Sequence, residues 1–210
     1  MDTQYWWPVL LQQIKETSLV EWLSVGFGVA EVLYARANRI WLYPTGIAGT
    51  LLSMYVMIAA GLYAEGLLNG YYLVMSMYGW WYWVKKKNEA PVKISYCTTT
   101  DWRTTLGIVV VAFTVLFYCL KKFTPSTVPF WDALVSATAW AGMWLLAKRK
   151  IENWILLNIS NLFAIPLLLY KHLLLYSALT VFLFIIAVQG YFEWRKLISQ
   201  EAVIPLTDAN

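Results

Sequence analysis

Residues Ile151–Tyr170 read IENWILLNISNLFAIPLLLY, twenty positions with one charged side chain, Glu152. A helix of that length rises about 30 Å, the thickness of a bilayer's hydrocarbon core. Six further runs have the same character, at about 18–35, 41–63, 67–84, 104–120, 130–147 and 173–192. The run at 18–35 is the weakest, because Glu21 and Glu31 interrupt it. All are long and continuous rather than alternating over ten residues. Helices satisfy their backbone groups internally where no water reaches, so helices are expected and barrel strands are not. Composition agrees: of 210 residues, 60% are hydrophobic and 13% charged, with mean hydropathy +0.55. Soluble domains carry roughly 25% charged residues and could not hide this much apolar surface. Disorder, coiled coil and collagen are excluded as well, and two cysteines, Cys97 and Cys119, are too few for a disulfide scaffold. The expected fold class is an all-α integral membrane protein of seven transmembrane helices.

The opening run Tyr5-Trp6-Trp7-Pro8-Val9-Leu10-Leu11 is too short to span and lacks a basic flank, so it reads as a short interfacial N-terminal helix rather than a signal peptide. Orientation follows from Lys and Arg. With the N-terminus outside, one side holds Arg36, Arg39, Lys85, Lys86, Lys87, Lys93, Arg103, Lys148, Arg149, Lys150, Arg195 and Lys196; the other holds Lys15, Lys121, Lys122 and Lys171. Twelve against four places the N-terminus outside and the C-terminus in the cytoplasm. The net charge of +4 does not indicate a nucleic-acid partner, because the basic residues lie between apolar runs and form no stripe.

The chain also echoes itself. Tyr34-Ala35-Arg36-Ala37-Asn38-Arg39-Ile40-Trp41 opens one segment, and Ala147-Lys148-Arg149-Lys150-Ile151-Glu152-Asn153-Trp154 opens another. Trp41 pairs with Trp154 and Tyr63 with Tyr176 at an offset of 113; Gly79 with Gly190, Trp83 with Trp194 and Lys85 with Lys196 at 111; Trp22 with Trp131 at 109. Two three-helix units can lie parallel only if an extra helix inverts the chain between them, and the run at 104–120 has no counterpart. The expected division is an interfacial segment 1–16, a first repeat 17–84, a cytoplasmic loop and linking helix 85–129, a second repeat 130–196 and a cytoplasmic tail 197–210. Such a 3+1+3 parallel repeat, with a site near mid-membrane between the repeats, is a transporter plan.

Polar residues at depth must be offset by partners, so each is a candidate for function. Asn158 and Asn161 share one helical face, with Asn153 and Trp154 at its start. Amides suit an uncharged amide or a hydroxyl-rich ligand; the alternative is hydrogen bonding between helices. Asn69 and Gln189 admit the same two readings. Glu31 is the one acid well inside a run, either a proton-coupling group or a side chain reaching the interface near Arg36. Asp132 reads as a carboxylate at a helix N-terminus. His172, the lone histidine, supports neither a metal site nor catalysis, and no cofactor is expected. Tyr78-Gly79-Trp80-Trp81-Tyr82-Trp83 exceeds an interfacial belt, since consecutive residues point all round a helix. Rings inside a bundle hold flat heteroaromatics, best of all cationic ones.

Leu62-Tyr63-Ala64-Glu65 leading to the Tyr78–Trp83 run, the turn Pro129-Phe130-Trp131-Asp132, and Lys150-Ile151-Glu152-Asn153-Trp154 together resemble the PnuC family of bacterial vitamin transporters, over about residues 18–198. The resemblance implies a seven-helix 3+1+3 fold similar in plan to the SWEET sugar transporters, homotrimers in the bacterial inner membrane, and facilitated uptake of nicotinamide riboside with trapping by cytoplasmic phosphorylation. Relatives carry thiamine or riboflavin instead. It also implies that Asn153, Trp154 and Asn161 bind substrate and that Tyr78, Trp80 and Trp81 stack its ring. Two positions depart from the family's habit: Leu157 stands where a second Trp is common, and Asn69 where Gln is common. The substrate-binding set expected is therefore Asn69, Tyr78, Trp80, Trp81, Asn153, Trp154, Asn158 and Asn161. A thiamine carrier of the same build is the nearest alternative, a structural membrane subunit a more distant one, and an enzyme is not expected.

Overall fold

The computed structural model describes residues 3–59, 63–85 and 93–203, with side chains from 8–59, 69–84 and 93–200. These residues form α1 (Thr3–Glu16), α2 (Leu19–Arg36), α3 (Leu42–Ala59), α4 (Tyr63–Lys85), α5 (Thr99–Phe123), α6 (Pro129–Ala147), α7 (Asn153–Tyr170) and α8 (Leu174–Val203). Each apolar run becomes a helix, with ends within a few residues of those expected except at α8, which continues well past 192. The side chains of Trp6, Trp7, Tyr63 and Lys85, residues Lys86 and Lys87, and the tail from 204 lie outside the described part.

Local signals set the helix starts. Ser18 caps α2 in a reciprocal box with Glu21, and Thr98 caps α5 likewise with Asp101. Pro129 opens α6, where its missing N–H costs nothing. The α1 and α2 axes differ by 100° across the break between them, which fits an N-terminal segment lying off the bundle. By length and hydropathy α3, α5, α7 and α8 can cross a membrane, and the bent α1–α2 pair makes a fifth. Helices α4 and α6 are comparably long, but their Tyr, Trp and polar residues lower their hydropathy.

Contacts arrange six of the helices in a closed ring: α2 packs on α3, α3 on α4, α4 on α6, α6 on α7, α7 on α8, and α8 back on α2. Helix α5 stands outside this ring against α6, and α1 leans on α8. Small residues bring the helices close, as expected where apolar area alone does not drive association. Ala133, Ala137 and Ala141 form a fully buried stripe on α6, and Ala112, Leu116 and Leu120 of α5 pack against its first two members. On α3, a Cβ at Gly49 would lie 3.3 Å from the backbone nitrogen of Gly28, and Ser24 Oγ donates to the Gly49 carbonyl at 3.0 Å.

The contacts of the ring fall into two corresponding sets. The pairs α2·α3, α3·α4 and α2·α8 are matched by α6·α7, α7·α8 and α6·α4. Detail follows the same scheme. Trp83 Nε1 donates to the Ala147 carbonyl and Trp194 Nε1 to the Ala35 carbonyl, both at 3.1 Å. The Trp83 indole thereby satisfies a carbonyl at the end of α6, and the Trp194 indole adds a second donor to the Ala35 carbonyl, which also accepts from the Asn38 N–H at 3.0 Å. Trp83 meets Tyr43 edge-on at 5.0 Å, and Trp194 meets Trp154 edge-on at 5.6 Å. Asn38 and Arg149 take the left-handed conformation (φ 52° and 54°) in matching turns. Tyr43 and Trp154 are 111 positions apart, like Gly79 and Gly190. This corrects the pairing of Trp41 with Trp154: Trp41 is 61% exposed, whereas Tyr43 is buried at the matching place. In a chain so rich in tryptophan, identity misleads where contact does not.

One end of the bundle carries an additional tie. Ser95 and Lys150 form an isolated parallel bridge, and Lys150 Nζ pairs with Asp101 at 3.1 Å. Both Glu152 oxygens accept from the Cys97 N–H, at 2.9 and 3.0 Å. Burial, then the Glu152 carboxylate, pushes the Cys97 thiol up to about 12.

Candidate functional site, a cavity among α2, α3, α4 and α8

Among the described residues no extensive α4–α8 seam forms, and space remains where the two helices face one another across the ring. A cavity of about 300 Å³ opens there, at the small end of typical small-ligand sites at about 300–1,000 Å³. Its polar lining comes from Ser24 and Glu31 of α2, Thr50 and Ser53 of α3, Asn69 of α4 and Tyr176 of α8, with Val25, Val29, Val32, Leu179 and Leu183 between them. Asn69 Nδ2 donates to Met57 Sδ at 3.2 Å. Glu31 lies against Gly46, where a Cβ would meet its carboxyl group, so this glycine is what admits the acid. Among the described residues, no lysine or arginine lines the cavity. Arg36, the nearest cation along α2, turns instead to α8: it donates to Gln189 Oε1 and pairs with Glu193 at 3.2 Å.

The opposite seam, α4 against α6, is aromatic. Tyr71 stacks on Trp140 at 4.2 Å and donates to its carbonyl at 3.0 Å. Tyr78 lies parallel to Trp144 at 6.0 Å, and the Lys148 ammonium sits 5.5, 4.5 and 5.0 Å from the rings of Tyr78, Tyr82 and Trp144. Such ring faces attract a cation, most strongly away from water.

The eight residues singled out from sequence are spread over four places. Asn69 lines the cavity and Tyr78 belongs to the aromatic seam. Trp80 and Trp81, 40% and 54% exposed, line an outer groove beside Ile47 and Met77. Asn153 is fully buried at the start of α7, where its Nδ2 donates to the Lys150 carbonyl at 2.6 Å and its Oδ1 has no partner. Trp154 is 1% exposed, pressed against Gly190 with its Nε1 unpartnered. Asn158 joins Trp154 in an apolar groove between α7 and α8, its Oδ1 also buried without a partner. Asn161 is half-buried one turn further along α7. Ser24, Thr50, Ser53 and Tyr176 were missed from sequence because small hydroxyls in an apolar run look like helix glue; the i,i+3 spacing of Thr50 and Ser53 was the available signal. Asp132 does sit in the first turn of its helix, but it also pairs with Lys171 at 2.6 Å. Among the described residues no cluster of His, Cys, Asp and Glu could hold a metal.

The family profile described as Nicotinamide mononucleotide transporter matches residues 18–196 of this chain, which takes in α2 to α7 and most of α8. The chain belongs to this family. Two relatives, each named Nicotinamide riboside transporter PnuC, from Escherichia coli (strain K12) and Shigella flexneri, are 22% identical over 205 residues, covering 85% of this chain and 86% of theirs. The crystal structure of the Vitamin B3 transporter PnuC has the same fold, with a TM-score of 0.71, 22% identity and coverage of 94% of this chain and 89% of that one. The chain is thus a multi-pass membrane protein of a transporter family.

Proposed function

We propose that this chain carries nicotinamide riboside across the bacterial inner membrane by facilitated diffusion, with phosphorylation in the cytoplasm retaining the vitamin. The observation that carries this reading is the cavity among α2, α3, α4 and α8, whose described lining holds hydroxyls, an amide and a carboxylate and no cation. A mononucleotide would bring its phosphate into a lining whose described residues offer no Lys or Arg and include Glu31. A riboside brings hydroxyls, an amide and a positively charged pyridinium, and each has a partner of suitable chemistry there. The names of the two relatives point the same way.

Further parts of the reading rest on the same molecule. Helices α2–α4 and α6–α8 act as two parallel repeats joined by α5, giving seven spans in a 3+1+3 plan similar to that of the SWEET transporters; the matched contacts support this. The repeats rock against each other to expose the cavity to either side. The division of the chain is 1–16, 17–84, 85–129, 130–196 and 197–210. The N-terminus lies outside and the C-terminus in the cytoplasm, on the strength of the twelve-to-four distribution of Lys and Arg. Assembly as a homotrimer follows from the family resemblance. Of the substrate-binding set expected from the sequence, Asn69 meets the ligand in this cavity, whereas Tyr78, Trp80, Trp81, Asn153, Trp154, Asn158 and Asn161 lie away from it. Thiamine is the second reading, favoured by one observation: Leu157 occupies the notch over Gly142, where the family commonly has Trp.

Titration of the purified, detergent-solubilised protein tests the substrate directly, followed by Trp fluorescence with nicotinamide riboside and thiamine in parallel. Saturable quenching by nicotinamide riboside upholds the reading. Quenching by thiamine alone transfers the substrate assignment, and folded protein that responds to neither defeats it.

A further inference from the structure

We propose that Glu31 is the specificity-determining residue of the cavity, admitting permeants with a permanently cationic aromatic ring and disfavouring neutral or phosphorylated ones. This deepens the riboside reading and rests on it. The cavity wall reaches Glu31 from α2, and Gly46 on α3 supplies the space for the carboxyl group. Among the described residues, no ion pair or hydrogen bond engages the acid: Arg36 is taken by Gln189 and Glu193, while Lys150 and Lys171 pair with Asp101 and Asp132. From the neighbouring elements it faces only uncharged groups, among them Thr50, Asn69 and Tyr176; Tyr72 and Tyr43 lie within electrostatic reach. An acid held at depth without a counter-ion is costly, and a bound cation is the partner that relieves the cost. The matching place in the second unit shows that the acid is no requirement of the helix crossing: Gly142 stands there, filled by Leu157 from α7.

The test compares wild type, Glu31→Gln and Gly46→Ala, each checked for folding by size-exclusion chromatography and thermal melting. Binding is measured for nicotinamide riboside and for its neutral dihydro form. Glu31→Gln is expected to lose about tenfold or more in affinity for the cation, with the neutral form held equally well or better. Gly46→Ala keeps the acid but displaces it, and is expected to weaken the cation as well. Folded Glu31→Gln that binds nicotinamide riboside like wild type overturns the inference, as does an equal loss for both forms. If wild type ignores nicotinamide riboside, the substrate reading fails on its own; thiamine binding that Glu31→Gln abolishes then upholds the role of Glu31, and no binding of either cation removes it.

Discussion

At the α2–α3 crossing, Gly46 of α3 makes room for Glu31 of α2; at the α6–α7 crossing, 111 positions on, Gly142 of α6 makes room for Leu157 of α7. The offsets 142−31 and 157−46 are both 111, so the same crossing is filled from opposite partners. The seams between the units diverge in the same manner. Arg36, at the end of α2, reaches an amide and a carboxylate on α8, whereas Lys148, just past the end of α6, reaches the rings of Tyr78 and Tyr82 on α4. What stays constant is the scaffold: the indole donors, the edge-on ring pairs and the two left-handed turns. What varies is the chemistry facing the ring's interior, where one unit brings a carboxylate and the other brings methyl groups and rings. Corresponding contacts thus hold the two halves of the bundle together without making its two sides equivalent for a ligand.

Glycine contacts offer the strongest way to break the comparison. A Cβ on Gly190 would lie 2.7 Å from the Trp154 ring, and one on Gly79 would strike the Tyr43 ring. Gly190→Ala and Gly79→Ala are each expected to destabilise by about 1–3 kcal/mol from overpacking, offset by up to about 1 kcal/mol of helix propensity. Gly26→Ala, whose Cβ meets nothing within 4 Å, should show the propensity gain alone. Thermal unfolding in detergent reads all three, and sensitivity at only one of Gly79 and Gly190 would break the equivalence of the units.

A smaller effect sharpens it. Trp83→Phe and Trp194→Phe each remove an indole donor from a helix-end carbonyl, at an expected cost of about 1 kcal/mol apiece. Equal losses are the signature of matched roles; a loss confined to one variant contradicts them. Glu193→Gln comes next, because the ion pair with Arg36 is partly exposed, with side chains 31% and 43% accessible. The expected loss is under about 1 kcal/mol and fades in high salt, while Lys148→Met at the aromatic seam should depend less on salt.

The smallest effect concerns the tie at the start of α7. The Cys97 thiol rises from an ordinary 9.0 to about 12, so the folded chain binds this proton more tightly than the unfolded chain does. Its contribution to stability is complete below about pH 9 and is lost as pH rises towards 12. Alkylation of Cys97 should accordingly stay slow between pH 7 and pH 9 and quicken in Glu152→Gln; rapid labelling of the wild type at pH 8 would show that the tie is not formed.

Much of the fold was legible in the sequence because apolar runs of about twenty residues admit few structures in a bilayer. The seven long helices, a separate short N-terminal helix and the odd position of α5 could all be read from length and self-similarity. The register of the repeat was harder: Trp41 shares its residue type with Trp154, but Tyr43 shares its surroundings. The site was least legible. Whether a polar side chain faces a cavity, a neighbouring helix or lipid depends on a rotation of some tens of degrees about a helix axis, which apolar runs do not encode. Asn69 and Glu31 turn towards one cavity, Asn158 turns towards the α7–α8 groove, and Trp80 and Trp81 turn outward.

Counterflow uptake in proteoliposomes bears most directly on the central claim, that the cavity among α2, α3, α4 and α8, with no cation in its described lining, carries the riboside. Vesicles loaded with unlabelled nicotinamide riboside should accumulate the labelled compound saturably, and external nicotinamide mononucleotide in excess should leave that uptake unchanged. Equal competition by the mononucleotide, or no counterflow by folded protein, would contradict the account.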